Sequence, residues 1–133
     1  MTAGILVVDD DIEHLSFVSH LLKRAGYSVQ SASSGSECLE LMAKAPPDLI
    51  ITDLFMPTID GIELALHIEE QEFDIPILGM TGIADSTMYR QHRYAFELAA
   101  QSGILQKPFG KEELLEKVEN AVGKPKPAED APE

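Results

Sequence analysis

The sequence predicts a doubly wound α/β domain, with five parallel strands in the order 2-1-3-4-5 and helices on both faces of the sheet. Three observations carry that prediction. Short apolar runs alternate with stretches whose apolar residues recur at helical spacing, and this pair repeats five times. The runs at Ile5-Leu6-Val7-Val8 and Leu49-Ile50-Ile51 are continuously apolar, the pattern of strands covered on both faces. Right-handed crossovers between parallel strands leave few topologies, and this order is one of them.

The first strand opens after Gly4 and stops at Asp9-Asp10-Asp11. From Ile12 the period changes. Leu15, Val18, Leu21 and Leu22 form a helical stripe, and Ala25-Gly26 ends it with a glycine suited to the C-cap. Tyr27 to Ala32 reads as the second strand. Ser34 to Ala45 reads as a helix carrying Leu39 and Met42, stopped by Pro46-Pro47. The third strand is Asp48 to Asp53. Met56-Pro57-Thr58-Ile59-Asp60-Gly61 is turn chemistry. Ile62 to Gln71 is the third helix, and Ile75 to Met80 the fourth strand, ending at Thr81-Gly82. Asp85 or Ser86 can cap a long fourth helix reaching about Gln101. Ile104 to Gln106 is a short last strand before Lys107-Pro108-Phe109. Lys111 to Val122 is the fifth helix, with Leu114, Leu115 and Val118 facing inward. Residues 1–122 therefore form one domain. Residues 123–133, rich in Pro, Lys and Glu, read as a disordered tail or the remnant of a linker.

Composition narrows the function classes. The 133 residues suit one domain, and 10 Lys plus Arg against 23 Asp plus Glu give a net charge of −13. That balance argues against direct nucleic-acid binding, which needs cations to neutralise phosphates, and against docking on anionic lipid. One cysteine, Cys38, excludes an intramolecular disulfide and a multi-cysteine metal site. It reads as an at least partly buried helix residue. No apolar run approaches the length of a membrane span, and MTAGILVVDDD lacks the basic start of a signal peptide. A cytoplasmic protein is expected. His14 and His20 are six apart and not on one helical face, and His67 and His92 are isolated from other histidines, so zinc is not expected.

In a doubly wound sheet, ligands bind beyond the carboxyl ends of the strands, where the strand order reverses. The first strand ends at Asp9-Asp10, the third at Asp53, the fourth at Thr81 and the fifth at Lys107. The first and third strands are neighbours in this order, so the three acids crowd one pocket. Like charges that close raise one another's pKa unless a cation intervenes, and oxygen-only ligation suits Mg²⁺. Singly, each residue has a structural reading: Asp11 or Asp10 as helix cap, Asp53 as loop acid, Thr81 as turn cap, Lys107 as surface lysine. Together they have the composition of a site.

The segments ILVVDDD, IITDLFMPTIDG, ILGMTG and LQKPF occur in an order, and with 43 positions between Asp10 and Asp53, that resembles the receiver domains of bacterial two-component response regulators. The resemblance covers about residues 4–122 and implies the flavodoxin-like fold. It implies that Asp53 is the phosphoacceptor, attacking phosphorus to give an acyl phosphate. Asp10, Asp53 and the backbone carbonyl of Phe55 would bind Mg²⁺ directly, and Asp9 would act largely through bound water. Lys107 would pair with the carboxylate and then a phosphoryl oxygen, and Thr81 would donate to another. Lys107-Pro108 would be cis. The partner implied is a sensor histidine kinase or a histidine phosphotransfer protein. The module would signal rather than act as an enzyme, beyond weak Mg²⁺-dependent self-phosphorylation and self-dephosphorylation. No Gly-rich nucleotide loop is present, so ATP is not the expected donor. The alternative is a non-phosphorylated interaction module of the same fold, which loss of the acids or the lysine would favour.

Two departures stand out. Ile104 occupies a position where the family often has a switching Tyr or Phe. The stretch from Thr81 to Lys107 spans 26 positions and contains Met88-Tyr89-Arg90-Gln91-His92-Arg93-Tyr94-Ala95-Phe96, the one concentrated basic–aromatic segment of an acidic chain. It reads either as helix packing on the sheet or as a partner face. The resemblance suggests a homodimer through the fourth and fifth predicted helices.

Overall fold

The computed structural model describes residues 3–56, 61–71, 74–82, 86–91 and 93–125. Residues 57–60 of the turn predicted at 56–61, the candidate cap Asp85 and most of the expected tail, residues 126–133, lie outside them. The elements are β1 (Gly4–Val8), α1 (Ile12–Ala25), β2 (Ser28–Ala32), α2 (Gly35–Lys44), β3 (Leu49–Asp53), α3 (Gly61–Glu70), β4 (Ile77–Thr81), α4 (Ser86–Gln91), α5 (Arg93–Ala99), β5 (Ile104–Gln106) and α6 (Lys111–Val122). All strand pairings are parallel, in the order β2-β1-β3-β4-β5. The predicted doubly wound α/β architecture is the observed one.

Alternation along each strand divides the core in two. On β1, Ile5 and Val7 face one side and pack with Leu15, Val18 and Leu22 of α1 and with Leu114 and Val118 of α6. Leu6 and Val8 face the other side, with Cys38 and Met42 of α2 and Leu64 and Ile68 of α3. β1 and β3 are thus buried on both faces, which is why they read as unbroken apolar runs.

The helix ends follow from their sequences. The Asp11 side chain caps α1 by accepting hydrogen bonds from the Glu13 and His14 amides. Gly26 closes α1 in the left-handed region at φ 110°, and its amide donates to the Leu22 and Lys23 carbonyls. Asp11 rather than Asp10 is therefore the cap, and Asp10 is left for the site. The predicted fourth helix corresponds to α4 and α5, with residue 92 outside the described residues and the helical part ending at Ala99 rather than Gln101. The predicted fifth helix is α6.

Register sets the site. Val8 pairs with Thr52, Asp53 with Met80, and Thr81 with Gln106. The residues one step beyond β1 and β5, Asp9 and Lys107, therefore emerge level with Asp53 and Thr81 on one rim of the sheet.

Candidate functional site

Asp9 is fully buried at the end of β1. Its Oδ1 accepts the Asp11 amide at 3.0 Å, while Oδ2 accepts from His14 Nδ1 at 2.8 Å and from Lys107 Nζ at 3.0 Å. Asp53, the last residue of β3, is 6% exposed. Its Oδ1 accepts the Phe55 amide at 2.9 Å, and its Oδ2 accepts from Lys107 Nζ at 2.8 Å. Lys107 thus bridges two buried carboxylates 44 residues apart in sequence. The Lys107-Pro108 peptide is cis, and the Lys107 amide donates to the Thr81 carbonyl at 2.6 Å, tying this loop to the end of β4.

The charges settle one another unequally. Burial alone would raise the pKa of Asp9, yet the hydrogen bonds from His14, the Asp11 amide and Lys107 outweigh it and hold Asp9 below the ordinary carboxylate value. At Asp53 burial wins over the hydrogen bonds from Lys107 and the Phe55 amide, and the nearby charge of Asp9 adds to it, so its pKa is raised. Burial would lower the pKa of Lys107, but Asp53 and Asp9 raise it, so the ammonium stays charged.

Asp10 is exposed beside these two buried acids, and one carboxylate oxygen from each of Asp9, Asp10 and Asp53 lies within 4.8 Å of the others. Three hard oxygen donors with one open, water-facing member fit a hard divalent cation that keeps part of its hydration shell. Asp9 already accepts three hydrogen bonds, two of them on Oδ2, whereas Asp53 accepts one on each oxygen, so Asp10 and Asp53 keep more lone-pair capacity for a cation than Asp9 does.

Of the residues singled out from sequence, Asp9, Asp53 and Lys107 meet directly, and Asp10 brings a carboxylate oxygen within 4.8 Å of the two buried acids. Thr81, 5% exposed, sits at the adjacent strand end. Its hydroxyl makes no hydrogen bond to the acids or to Lys107, and its link to the cluster is the backbone bond from Lys107. Phe55 enters through its amide. No motif in the sequence points to His14, yet it touches Asp9. The signal was its place: it is the third residue of α1, and side chains there point back over the helix start, here the end of β1.

Residues 5–119 match the family described as response regulator receiver domain. This chain belongs to that family. Among relatives, response regulator MprA of Mycobacterium avium is 37% identical over 127 residues, covering 96% of this chain and 54% of that protein. MprA of Mycobacterium tuberculosis is 38% identical over 133 residues, covering 100% of this chain and 56% of that protein. The chain thus spans about half the length of the curated relatives it matches. The solved structure of chemotaxis protein CheY4 of Vibrio cholerae is 34% identical and covers 92% of this chain and all of that one at a TM-score of 0.78. A receiver domain protein from Clostridium thermocellum is 29% identical with the same TM-score, covering 90% of this chain and 94% of that chain. Receiver domains accept a phosphoryl group on an aspartate in two-component systems, so this receiver domain is a signalling module rather than a metabolic enzyme. No helix among the described residues is long and apolar enough to cross a membrane.

Proposed function

We propose that Asp53 is the phosphoacceptor and that the donor is the phosphohistidine of a sensor histidine kinase or of a histidine phosphotransfer protein. The observation that carries this reading is the Lys107 ammonium, 2.8 Å from the Asp53 carboxylate and held there by Asp9. An Asp53 oxygen attacks phosphorus in line, the P–N bond of the donor breaks, and an acyl phosphate forms. Burial makes the carboxylate more basic than a free one, which suits a nucleophile. Lys107 then moves its hydrogen bond from the carboxylate to a phosphoryl oxygen, and the buried Thr81 hydroxyl donates to another. Mg²⁺, held by Asp10, Asp53 and the Phe55 carbonyl with Asp9 acting through water, would neutralise charge on the transferring group.

The acids and the lysine are all present and converge, which weighs against a non-phosphorylated interaction module. Exposed Ile12 and Phe17 on α1 flank the same rim and offer apolar surface to a donor protein. A second surface is α4–α5, where Arg90, Arg93, Tyr94 and Leu98 are exposed, and we assign any homodimer to it together with α6.

Because the transfer chemistry resides in this domain, a small acyl phosphate should replace the protein donor. Acetyl phosphate with Mg²⁺ is expected to add one phosphoryl group to the intact mass of the wild type and none to Asp53→Asn. Equal uptake by both would reject the assignment.

A further inference from the structure

We propose that His14 is a positioning residue: by holding the Asp9 carboxylate, it keeps Lys107 shared with Asp53 instead of captured by Asp9. Its effect on transfer rests on the reading of Asp53 as phosphoacceptor, whereas its effect on Lys107 does not.

Asp9 is fully buried, so each of its oxygens needs a donor from the protein. Oδ1 has one in the Asp11 amide. Oδ2 has two, His14 Nδ1 at 2.8 Å and Lys107 Nζ at 3.0 Å. Lys107 also serves Asp53 at 2.8 Å, so a single ammonium divides its hydrogen bonds between two acids. Without His14, Oδ2 would depend on Lys107 alone, and leaving it unmet would carry the penalty of a buried, unsatisfied carboxylate. The ammonium would then favour Asp9. With His14 in place, Oδ2 stays satisfied while Lys107 turns toward Asp53 or toward a group bonded to it.

The ring is fixed for this task. A carboxylate only accepts, so Nδ1 carries the hydrogen. The imidazole meets Phe109 edge to face at a centroid distance of 5.4 Å and lies tilted against Phe17 at 6.1 Å. Phe109 is two residues after Lys107 and belongs to the core shared by α1 and α6. One ring therefore contacts both the acid that anchors the lysine and the loop that presents it. The N-cap and first turn of α1 together supply both of the other donors to Asp9, the Asp11 amide and the His14 side chain.

The test separates donation from packing. His14→Leu keeps an apolar side chain against Phe17 and Phe109 but removes the donor. His14→Asn returns an N–H close to the position of Nδ1. His14→Met stands in for the Leu variant if that protein does not fold. In the metal-free protein, carbon-detected NMR of the side-chain carboxyls should show the Asp53 resonance displaced in His14→Leu, as Lys107 withdraws, and restored in His14→Asn. With acetyl phosphate and Mg²⁺, the rate at saturating donor should fall about tenfold in His14→Leu, recover in His14→Asn, and change far more than the half-saturating donor concentration. An Asp53 carboxyl resonance unchanged in His14→Leu, or Leu and Asn variants that behave alike in both measurements, overturns the proposal. If the wild type takes up no phosphate, the phosphoacceptor reading fails, and the carboxyl resonances still decide the role of His14.

Discussion

Replacing Lys107 with Met removes the cation between two buried acids while keeping most of the side-chain volume. At an effective dielectric constant of about 20, an ammonium 2.8–3.0 Å from each carboxylate contributes roughly 5–6 kcal/mol of attraction per pair. Most of that is offset by the cost of burying the three charges, and breaking a buried pair typically costs about 3–5 kcal/mol. Lys107 keeps 20% of its side-chain surface in water, so a loss of about 2–3 kcal/mol is expected for the metal-free variant at pH 7. The sign of the pH dependence follows from Asp53. Its folded-state pKa is already raised, so its contribution to stability is fully present below the unfolded value of 3.8 and lost as pH rises through the folded value. Without Lys107 that pKa rises further. The deficit of Lys107→Met should therefore be largest near pH 7 and smaller at pH 5, because acidification protonates an Asp53 whose pKa is raised. Mg²⁺ should narrow the gap at pH 7, because a bound cation replaces the lost charge and stabilises the folded state by mass action. Urea denaturation followed by far-ultraviolet circular dichroism, at both pH values with and without Mg²⁺, reads all of this. A variant as stable as wild type at pH 7, or a deficit that grows on acidification, would refute the reasoning.

Asp53→Asn should make the metal-free protein more resistant to urea at pH 7, since the raised pKa means that the ionised carboxylate opposes folding. The advantage should fade on acidification toward the unfolded value of 3.8, as wild-type Asp53 takes up a proton. Gly79→Val should cost about 1–3 kcal/mol, measured as a lower urea midpoint with unchanged slope. Even a Cβ at Gly79 would sit 3.0 Å from the Ala100 Cβ and from both Leu54 methyl groups. Arg90→Glu combined with Arg93→Glu should lower any self-association seen by sedimentation while leaving far-ultraviolet dichroism unchanged, because both side chains are exposed and the i,i+4 pair of Arg93 with Glu97 lies on the surface. Unchanged sedimentation of a dimeric wild type would remove the α4–α5 surface from consideration.

The strands and most helix ends were legible because each had a local cause. β1 and β3 are apolar without interruption, Asp11 and Ser34 cap their helices with side-chain oxygens, and Gly26 takes the left-handed conformation that ends α1. The sequence pattern places Tyr27 in β2, but it is the residue before the strand. It is buried, and its hydroxyl donates to the Gly123 carbonyl at 2.8 Å, a contact across 96 residues that no local pattern announces. The acids and the lysine were legible as a group because strand order and register bring strand ends together. Pairings such as His14 with Asp9 were not, because they depend on which way a helix turns over a strand end and on the rings of Phe17 and Phe109 that hold it there. The opposite pKa shifts of Asp9 and Asp53 were equally hidden. Both are buried acids sharing one lysine, and the difference comes from the additional donor that Asp9 receives from His14 and from the Asp9 charge that bears on Asp53.

The central claim is that the acyl phosphate forms on Asp53. Phosphorylation with acetyl phosphate and Mg²⁺, followed by borohydride reduction, converts an aspartyl phosphate to homoserine, and peptide mass spectrometry then reads its position. Homoserine at position 53 alone, dependent on Mg²⁺, is the predicted result. Homoserine at Asp9, Asp10 or any other acid, or stable phosphate on Ser or Thr with residue 53 unmodified, would contradict it.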